Sequence, residues 1–350
     1  MMTVEDIQSL VRPNIRQLSP YSTARDEFEG GVGVFLDANE SPYPSGWNRY
    51  PDPRQKELKA AIAPLKGTDA SEIFLGNGSD EAIDLIFRIF CNPGIDNVVA
   101  ISPSYGMYAV SADINDIELR KVLLNEDFSL PVERLLDACD SRTKAIFLCS
   151  PNNPTGSVIP EETICRVLEG FRGIVVVDEA YIDFCGSAGM VPEIGRYPNL
   201  VVLQTFSKAR GMAALRLGMA FSNPYVISLM SMVKYPYNIN AETQRLALEA
   251  LKRPVDAQVE EIIGQRKMLE GALAGFSCIS KVYPSRANFI LVKVDDADRM
   301  YDFLISRGII VRNRTKMDLC RDCLRITVGL PEENKKLLKA IEEYEKGDIR

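Results

Sequence analysis

The chain has 350 residues, of which 46% are hydrophobic and 25% are charged, and its formal net charge is −7. This length favours about two domains of an ordinary globular protein, and the acidic balance argues against a nucleic-acid surface as the main partner. No apolar run approaches the roughly 18 residues that a membrane helix needs, and residues 1–17 carry no signal-peptide pattern. We therefore expect a cytoplasmic protein that binds neither membranes nor nucleic acids.

The chain contains no histidine and eight cysteines. Without imidazole, acid–base chemistry falls to Lys, Asp, Glu, Tyr or Cys, and no Ser-His-Asp triad, Cys-His pair or imidazole metal ligand exists. Cys320 and Cys323 have CxxC spacing, but no second pair of ligands matches them. We predict reduced thiols and no metal site.

In chain order, the sequence predicts an irregular arm over residues 1–45 and a large domain over residues 46–240. From about Ser71 to Phe221, short apolar runs alternate with helical patterns, as in a mostly parallel sheet covered by helices. Several runs are apolar throughout, which is typical of strands buried on both faces. One amphipathic helix is predicted at Asp80–Phe90, and strands are predicted at Asn97–Ile101, Ile117–Leu124, Lys144–Cys149, Ile174–Val177, Leu200–Gln204 and Leu217–Phe221.

After about Tyr235 the pattern changes, and we predict a smaller α+β domain over residues 241–350. The arm is expected to pack in part against this domain. Helices are predicted at Ala241–Leu251, Asp256–Ala274 and Glu332–Lys346, and strands at Phe289–Val294, Ile309–Arg312 and Leu324–Val328.

Lys208 follows the apolar run Leu200–Leu203 within the segment Thr205-Phe206-Ser207-Lys208-Ala209, and Arg216 lies eight residues beyond it. A lysine at the end of a buried strand can lose its proton and form a Schiff base with an aldehyde. Taken alone, a solvated lysine in a strand-to-helix turn is the more common structure. The functional interpretation therefore depends on what the other strand ends carry.

The segment Gly76-Asn77-Gly78-Ser79-Asp80-Glu81 opens a predicted helix. Its exposed N–H groups suit a phosphate, although a plainly capped helix start accounts for it equally well. A dinucleotide fingerprint fails, because Glu81 stands where the third glycine is needed.

Three more segments place polar groups at predicted strands. Asp178 ends an apolar strand and needs a cationic partner if it is buried. The proline-rich turn Ser150–Gly156 presents the amide of Asn153, and Arg325 lies inside an apolar run, where arginine usually binds a carboxylate or a phosphate.

The order of these segments resembles the aspartate aminotransferase superfamily and, within it, the histidinol-phosphate aminotransferase family. The resemblance extends to Asn39–Pro44 and Arg49–Pro53 and so covers almost the whole chain. It implies an α/β fold of the aspartate aminotransferase type (pyridoxal-phosphate fold type I), a pyridoxal 5'-phosphate cofactor and a homodimer. The motifs that carry it are Gly78-Ser79-Asp80, Tyr105, Asn153-Pro154-Thr155-Gly156, Asp178 with Tyr181, Ser207-Lys208 and Arg325.

The resemblance also implies roles for individual residues. Lys208 would hold the cofactor as a Schiff base and carry the proton, and Asp178 would face the pyridine nitrogen. Asn153 and Tyr181 would donate to the phenolic oxygen, and Tyr105 would stack on the ring. The implied phosphate ligands are Gly78, Ser79, Asp80, Thr205, Ser207 and Arg216, joined by Tyr50 from the other subunit.

For the substrate, the resemblance implies that Arg312 and Arg325 bind its anionic end, and that Tyr21 and Asn39 complete the pocket. The implied reaction interconverts histidinol phosphate and 2-oxoglutarate with imidazole-acetol phosphate and glutamate, in histidine biosynthesis. A threonine-phosphate decarboxylase of cobalamin synthesis and an aromatic amino-acid aminotransferase remain alternatives, since the motifs recognise the cofactor rather than the substrate. A non-catalytic protein of the same fold is disfavoured, because Lys208 and Asp178 are both present.

Overall fold

The computed structural model describes residues 2–21 and 33–347. Its first sheet has seven strands in the order β1-β7-β6-β5-β4-β2-β3, and β7 alone runs antiparallel to its neighbours within that sheet. The strands are β1 (Ile73–Asn77), β2 (Asn97–Ser102), β3 (Glu118–Leu123), β4 (Thr143–Cys149), β5 (Ile174–Asp178), β6 (Leu200–Thr205) and β7 (Leu217–Phe221).

Helices cover both faces of this sheet, and the central strands are accordingly apolar on both sides. In β5, Ile174 and Val176 belong to one hydrophobic core, whereas Val175 and Val177 belong to another on the opposite face. The helices in this part of the chain are α1 (Val4–Leu10), α2 (Pro13–Arg16), α3 (Lys56–Lys66), α4 (Gly78–Phe90), α5 (Met107–Ile114), α6 (Val132–Asp137), α7 (Glu161–Gly170) and α8 (Pro224–Val233).

The second sheet is antiparallel, with four strands in the order β10-β11-β9-β8. A third core lies between this sheet and its helices, and it includes Leu273, Ile290, Leu304 and Ile341. The elements are α9 (Ala241–Leu251), α10 (Asp256–Leu273), β8 (Ile279–Tyr283), β9 (Phe289–Val294), α11 (Ala297–Ser306), β10 (Arg312–Asn313), β11 (Cys323–Thr327) and α12 (Pro331–Glu345).

The beginning of the chain differs from the predicted irregular arm. Thr3 caps α1 through a capping box with Asp6, so a regular helix begins there. Ile7, Val11 and Ile15 are buried in the same core as the helix α4, on the side of the first sheet rather than the second. The remainder of the predicted arm includes residues 22–32, which lie outside the described residues.

The predicted strand Ile309–Arg312 is wrong, because only Arg312–Asn313 pairs with β11. Gly308 adopts a φ of +72° and ends α11, and the N–H of Ile309 donates to Leu304 across this turn. Ile310 is 73% exposed, so the apolar run that suggested a buried strand belongs to a helix end. The strands β1 and β8 and the helices α3, α8 and α11 were not predicted, and α5 to α7 were predicted only as helical patterns between strands.

Candidate active site

A cavity of about 130 Å³ opens where β4, β5 and β6 end and α4 begins. Since carboxyl ends of parallel strands meet at one edge of a sheet, side chains distant in sequence converge there. All the predicted cofactor residues except Tyr50 line this cavity. Its walls are Gly78, Ser79, Asp80, Tyr105, Cys149, Asn153, Asp178, Ala180, Tyr181, Thr205, Ser207, Lys208, Ala213 and Arg216.

Asp178, the last residue of β5, is a buried carboxyl group with 3% of its surface exposed. Tyr108 donates to it through its hydroxyl at 2.8 Å, and the N–H of Ala180 donates at 3.1 Å. Burial raises the pKa of Asp178 to about 6, against the lowering effect of these hydrogen bonds. Among the described residues no cation forms an ion pair with this group, so a ligand that carries a positive charge would stabilise its ionised form.

Lys208 faces the same cavity, with its Nζ 5.5 Å from the centre of the Tyr181 ring. Burial lowers its pKa, and the positive charge of Arg325 lowers it further, while the charge of Asp178 opposes the shift. The neutral amine is therefore more available here than on a solvated lysine, as a nucleophile or a base requires.

Asn153, Tyr181 and Arg325 form a chain of hydrogen bonds at one wall of the cavity. The Asn153 side-chain N–H donates to the Tyr181 hydroxyl oxygen at 3.4 Å, and Arg325 Nη1 donates to Asn153 Oδ1 at 2.5 Å. Phe289 supports both ends, since its ring lies edge-on to Tyr181 and under the guanidinium of Arg325. The second sheet thus contributes Arg325 to a site that the first sheet builds.

The opposite wall combines the beginning of α4 with the turn after β6. Gly78 adopts a φ of +70°, and its N–H donates to the carbonyl of Arg216 at 2.8 Å. Gly218 lies so close that a Cβ there would be 2.1 Å from the backbone nitrogen of Ser79. This contact holds free N–H groups of a helix N-terminus at the cavity, an arrangement that suits a phosphate.

The carboxylate of Asp80 binds other side chains of the protein. It accepts from the Tyr105 hydroxyl at 3.1 Å and pairs with Arg216 at 3.3 Å. A phosphate placed here would therefore meet the backbone N–H of Asp80 rather than its side chain, together with the hydroxyls of Thr205 and Ser207, which lie 3.0 Å apart.

Three predicted residues do not meet Lys208 within a single chain. Tyr21 lines a separate cavity of about 470 Å³, whereas Asn39 and Tyr50 line another of about 540 Å³ beside Trp47. Tyr50 stacks on Tyr237 at 4.4 Å and stays 50% exposed. The two remaining predictions, Arg312 and Arg325, lie directly opposite each other in the β10–β11 pair.

A family model described as aminotransferase class I and II matches residues 36–341. The chain belongs to this family. The histidinol-phosphate aminotransferase of Parabacteroides distasonis is 54% identical to this aminotransferase over 340 residues, which cover 97% of this chain and 99% of the relative. That of Flavobacterium johnsoniae is 49% identical over 345 residues, with 97% and 99% covered.

Solved structures agree with this aminotransferase in fold. The histidinol-phosphate aminotransferase from Clostridium acetobutylicum superposes with a TM-score of 0.80 at 25% identity, covering 86% of this chain and 92% of that one. The enzyme from Sinorhizobium meliloti, solved in complex with pyridoxal-5'-phosphate, gives a TM-score of 0.77 at 24% identity, with 89% and 90% covered. At that identity the likeness concerns the fold.

These matches confirm the predicted fold class and the prediction of a pyridoxal-phosphate-dependent aminotransferase related to the histidinol-phosphate enzymes. The residues present fit the cofactor, because a buried acid that pairs with no described cation, a lysine with a lowered pKa and a glycine-built helix start share one cavity. In the described part of the chain, no helix has the length and apolar character needed to cross a membrane.

Tyr108 at this site, and Arg314 beside Arg312 and Arg325, were not identified from the sequence. Tyr108 is the hydroxyl partner of Asp178 and stands three positions after Tyr105, a spacing that puts both on one face of a helical turn. Arg314 stands two positions after Arg312, a spacing that puts both on one face of an extended strand. The spacing of Arg312 and Arg314 was overlooked because the strand was predicted to end at Arg312.

Proposed function

We propose that this aminotransferase interconverts histidinol phosphate and 2-oxoglutarate with imidazole-acetol phosphate and glutamate. The observation that carries the proposal is the cavity that joins Lys208 to the buried Asp178 and adjoins the cationic strand pair β10–β11. The names of relatives about 50% identical over almost the whole chain support the choice of substrate.

In this proposal the cavity holds pyridoxal phosphate by its two ends. Asp178 would pair with the ring nitrogen, held in place by the hydroxyl of Tyr108, while Asn153 and Tyr181 would donate to the phenolic oxygen. The start of α4 (Gly78, Ser79 and Asp80) and the residues Thr205, Ser207 and Arg216 would bind the phosphate. When bound, the cofactor supplies an aldehyde for the amine and an electron sink.

Lys208 would both hold the cofactor and move the proton at the substrate carbon. Its lowered pKa keeps a larger fraction of the amine neutral near neutral pH, so the same Nζ can accept a proton and return it. The ring of Tyr181 at 5.5 Å limits the directions in which this side chain can point. Tyr105, fixed by its hydrogen bond to Asp80, would cover one face of the cofactor ring.

The anionic end of each substrate would bind Arg325 and Arg312. Arg325 is already oriented by Asn153, whereas Arg312 is exposed at the edge of the second sheet. Tyr21, Asn39 and Tyr50 would complete the site of a second subunit, because Lys208 lines neither of the cavities in which they lie. A cytoplasmic homodimer is thus part of the proposal.

The domain division is proposed with the boundaries that the sequence suggested. Residues 46–240 contain all seven strands of the first sheet, and residues 241–350 contain the four strands of the second. Residues 1–45 are proposed as an N-terminal arm, whose helices α1 and α2 pack in the core beside α4.

A comparison of amine donors tests the proposal. Purified holoenzyme is mixed with histidinol phosphate, phenylalanine, tyrosine or threonine phosphate, with 2-oxoglutarate as acceptor, and glutamate and released carbon dioxide are measured. We expect glutamate to form fastest from histidinol phosphate. Faster transfer from an aromatic amino acid, or carbon dioxide release from threonine phosphate, would overturn the substrate assignment.

A further inference from the structure

We propose that Arg314 is a third guanidinium of the substrate site and recognises the phosphate group of the amine substrate. It would act with Arg312 and Arg325 and set the preference for a phosphorylated amine over a substrate that carries only a carboxylate. This inference rests on the proposed function, because it assigns a further residue to the same substrate.

The hairpin geometry places the three arginines on one face. Arg312 is the direct partner of Arg325 in the antiparallel register of β10 and β11. The N–H of Arg314 donates to the carbonyl of Cys323 at 2.8 Å, so one backbone hydrogen bond extends the hairpin by one residue beyond β10. Because side chains two residues apart in an extended strand point to the same side, Arg314 lies beside Arg312 and diagonally across from Arg325.

The three charges have no protein counter-ion in the part of the chain that the structure describes. None of the three guanidiniums forms an ion pair with a carboxylate there. The Nε atoms of Arg314 and Arg325 are both buried without a hydrogen-bond partner among the described residues. Burial, together with the positive charges of Arg325 and Arg312, lowers the pKa of Arg314 to about 10. A bound anion would offset the repulsion among the three like charges and accept hydrogen bonds from the two unused donors.

A phosphate monoester suits three guanidiniums better than a carboxylate does. It carries a charge close to −2 near neutral pH and three terminal oxygens, whereas a carboxylate carries one charge and two oxygens. Two guanidiniums are sufficient to satisfy a carboxylate, and the third then adds repulsion without a bond. The donors of Arg314 therefore have a use only when the larger anion is bound.

The cluster adjoins the reaction cavity rather than a remote surface. Arg325 donates to Asn153, and Asn153 lines the cavity together with Lys208. Tyr181, also in the wall of this cavity, accepts a hydrogen bond from Asn153 and so lies beside Arg325. An amine positioned at Lys208 can thus extend its far end toward the arginines.

The test separates the phosphate from the rest of the substrate. KM and kcat of the holoenzyme are measured with histidinol phosphate, with unphosphorylated histidinol and with glutamate, in the wild type, Arg314→Gln and Arg314→Lys. For Arg314→Gln we expect KM for histidinol phosphate to rise at least about tenfold, as the loss of a charged hydrogen bond requires. The values for histidinol and glutamate should change by less than about threefold, and Arg314→Lys should recover part of the loss, because it retains the charge.

Arg321→Gln is the matched control. Arg321 belongs to the same connection between β10 and β11, but 90% of its side-chain surface is exposed, so this variant should keep all three KM values. Inhibition of the glutamate half-reaction by inorganic phosphate gives a second measurement, because the cofactor already fills its own phosphate site. We expect this inhibition to weaken in Arg314→Gln and in Arg314→Lys.

An equal rise of KM for all three substrates, or an unchanged KM for histidinol phosphate, would overturn the role of Arg314. Failure of Arg314→Gln to fold leaves Arg314→Lys and the phosphate inhibition to decide. If the wild type does not turn over histidinol phosphate, the proposed function fails instead, and phosphate inhibition still reports on Arg314.

Discussion

Asp178 lies at the end of a strand whose other residues are all apolar, and the sheet removes its carboxyl group from water. The hydroxyl of Tyr108 and the N–H of Ala180 satisfy its oxygens but do not balance its charge. Without cofactor the group is therefore easier to protonate than a solvated aspartate, with a pKa of about 6. A ring nitrogen that carries a proton would reverse this preference.

We predict that Asp178→Asn removes a pH dependence from the apoprotein. A carboxyl whose folded-state pKa exceeds its unfolded value contributes stability at low pH that is lost as the pH rises through the folded value. Between pH about 4 and about 6, apo wild type should lose up to about 3 kcal/mol of unfolding free energy relative to apo Asp178→Asn. Urea unfolding of both apoproteins at several pH values measures this difference.

The neighbouring Glu179 also has a raised pKa, of about 7, but it is present in both proteins and cancels in the comparison. In the holoprotein the wild type should be more stable than Asp178→Asn, since the variant lacks the charge that holds the ring nitrogen. Parallel pH curves for the two apoproteins would contradict this account of Asp178.

For Lys208 we predict that substitution by alanine removes the covalent link to the cofactor. Purified wild type should be yellow and, after borohydride reduction, should carry the cofactor mass on the peptide that contains Lys208. Lys208→Ala should lose this label and at least about a hundredfold of kcat, because its amine is both anchor and proton carrier. Lys252→Ala, at an exposed position after α9, is the control, and a label that persists in Lys208→Ala would refute the assignment.

Among the elements, α4 depends on a close approach by β7. The strand β7 runs antiparallel to β1 and passes Gly218 under the first turn of the helix, where a side chain has no room. The helix start thus owes its position at the cavity to a glycine that touches no ligand.

We predict that Gly218→Ala weakens the binding of the cofactor. Its Cβ would meet the backbone of Ser79 and Gly78, which cannot move without shifting the phosphate-binding N–H groups. Equilibrium dialysis of pyridoxal phosphate should show an affinity at least about tenfold lower, as the loss of a charged hydrogen bond produces. Gly264→Ala in α10 is the control, because a Cβ there meets nothing within 4 Å and should leave affinity unchanged.

The elements that were predictable from sequence are those with a strong local pattern. The runs that became β4, β5 and β6 are apolar except at one end and lie between helical patterns, so their buried positions followed directly. The strand β8 was not predictable, because only its ends are buried and its middle is exposed or half-exposed. The apolar pair Ile309-Ile310 led to a wrongly predicted strand, because its residues follow the end of α11, which Gly308 determines.

The site residues also divide into those that were predictable from the sequence and those that were not. Residues at strand ends, such as Asp178 and Lys208, were predictable because parallel strands bring their carboxyl ends to one edge. Tyr108 and Arg314 depend on where a helix begins and how far a hairpin pairs, which the local pattern did not determine. The separation of Asn39 and Tyr50 from Lys208 depends on the path of the chain through space.

At the scale of the whole molecule, the predicted site residues other than Arg312 and Arg325 line three cavities of one chain. The cofactor residues share one cavity, whereas Tyr21 and the pair Asn39 and Tyr50 lie in two others. A second subunit with a two-fold axis would bring such separate halves together, because each chain then supplies to its partner what it lacks itself.

We predict that mixed dimers of two inactive variants regain activity. Lys208→Ala supplies an intact Tyr50, and Tyr50→Ala supplies an intact Lys208, so a hybrid contains one complete site if Tyr50 acts across the interface. Random assembly of equal amounts should give about a quarter of the wild-type activity, since half the dimers are hybrids with one working site of two. Each variant alone is the control, and no recovery in verified hybrids would place Tyr50 outside the partner's site.

Trp47 gives this assembly an optical signal of its own. It is the single tryptophan of the chain, 67% exposed, and lines the same cavity as Tyr50. All indole fluorescence therefore originates beside the proposed contact between subunits, and the emission should shift to longer wavelength when dilution separates them. An emission maximum that stays constant while the sedimentation coefficient falls would mean that Trp47 faces water in both states. Dissociation can thus be followed in unlabelled protein.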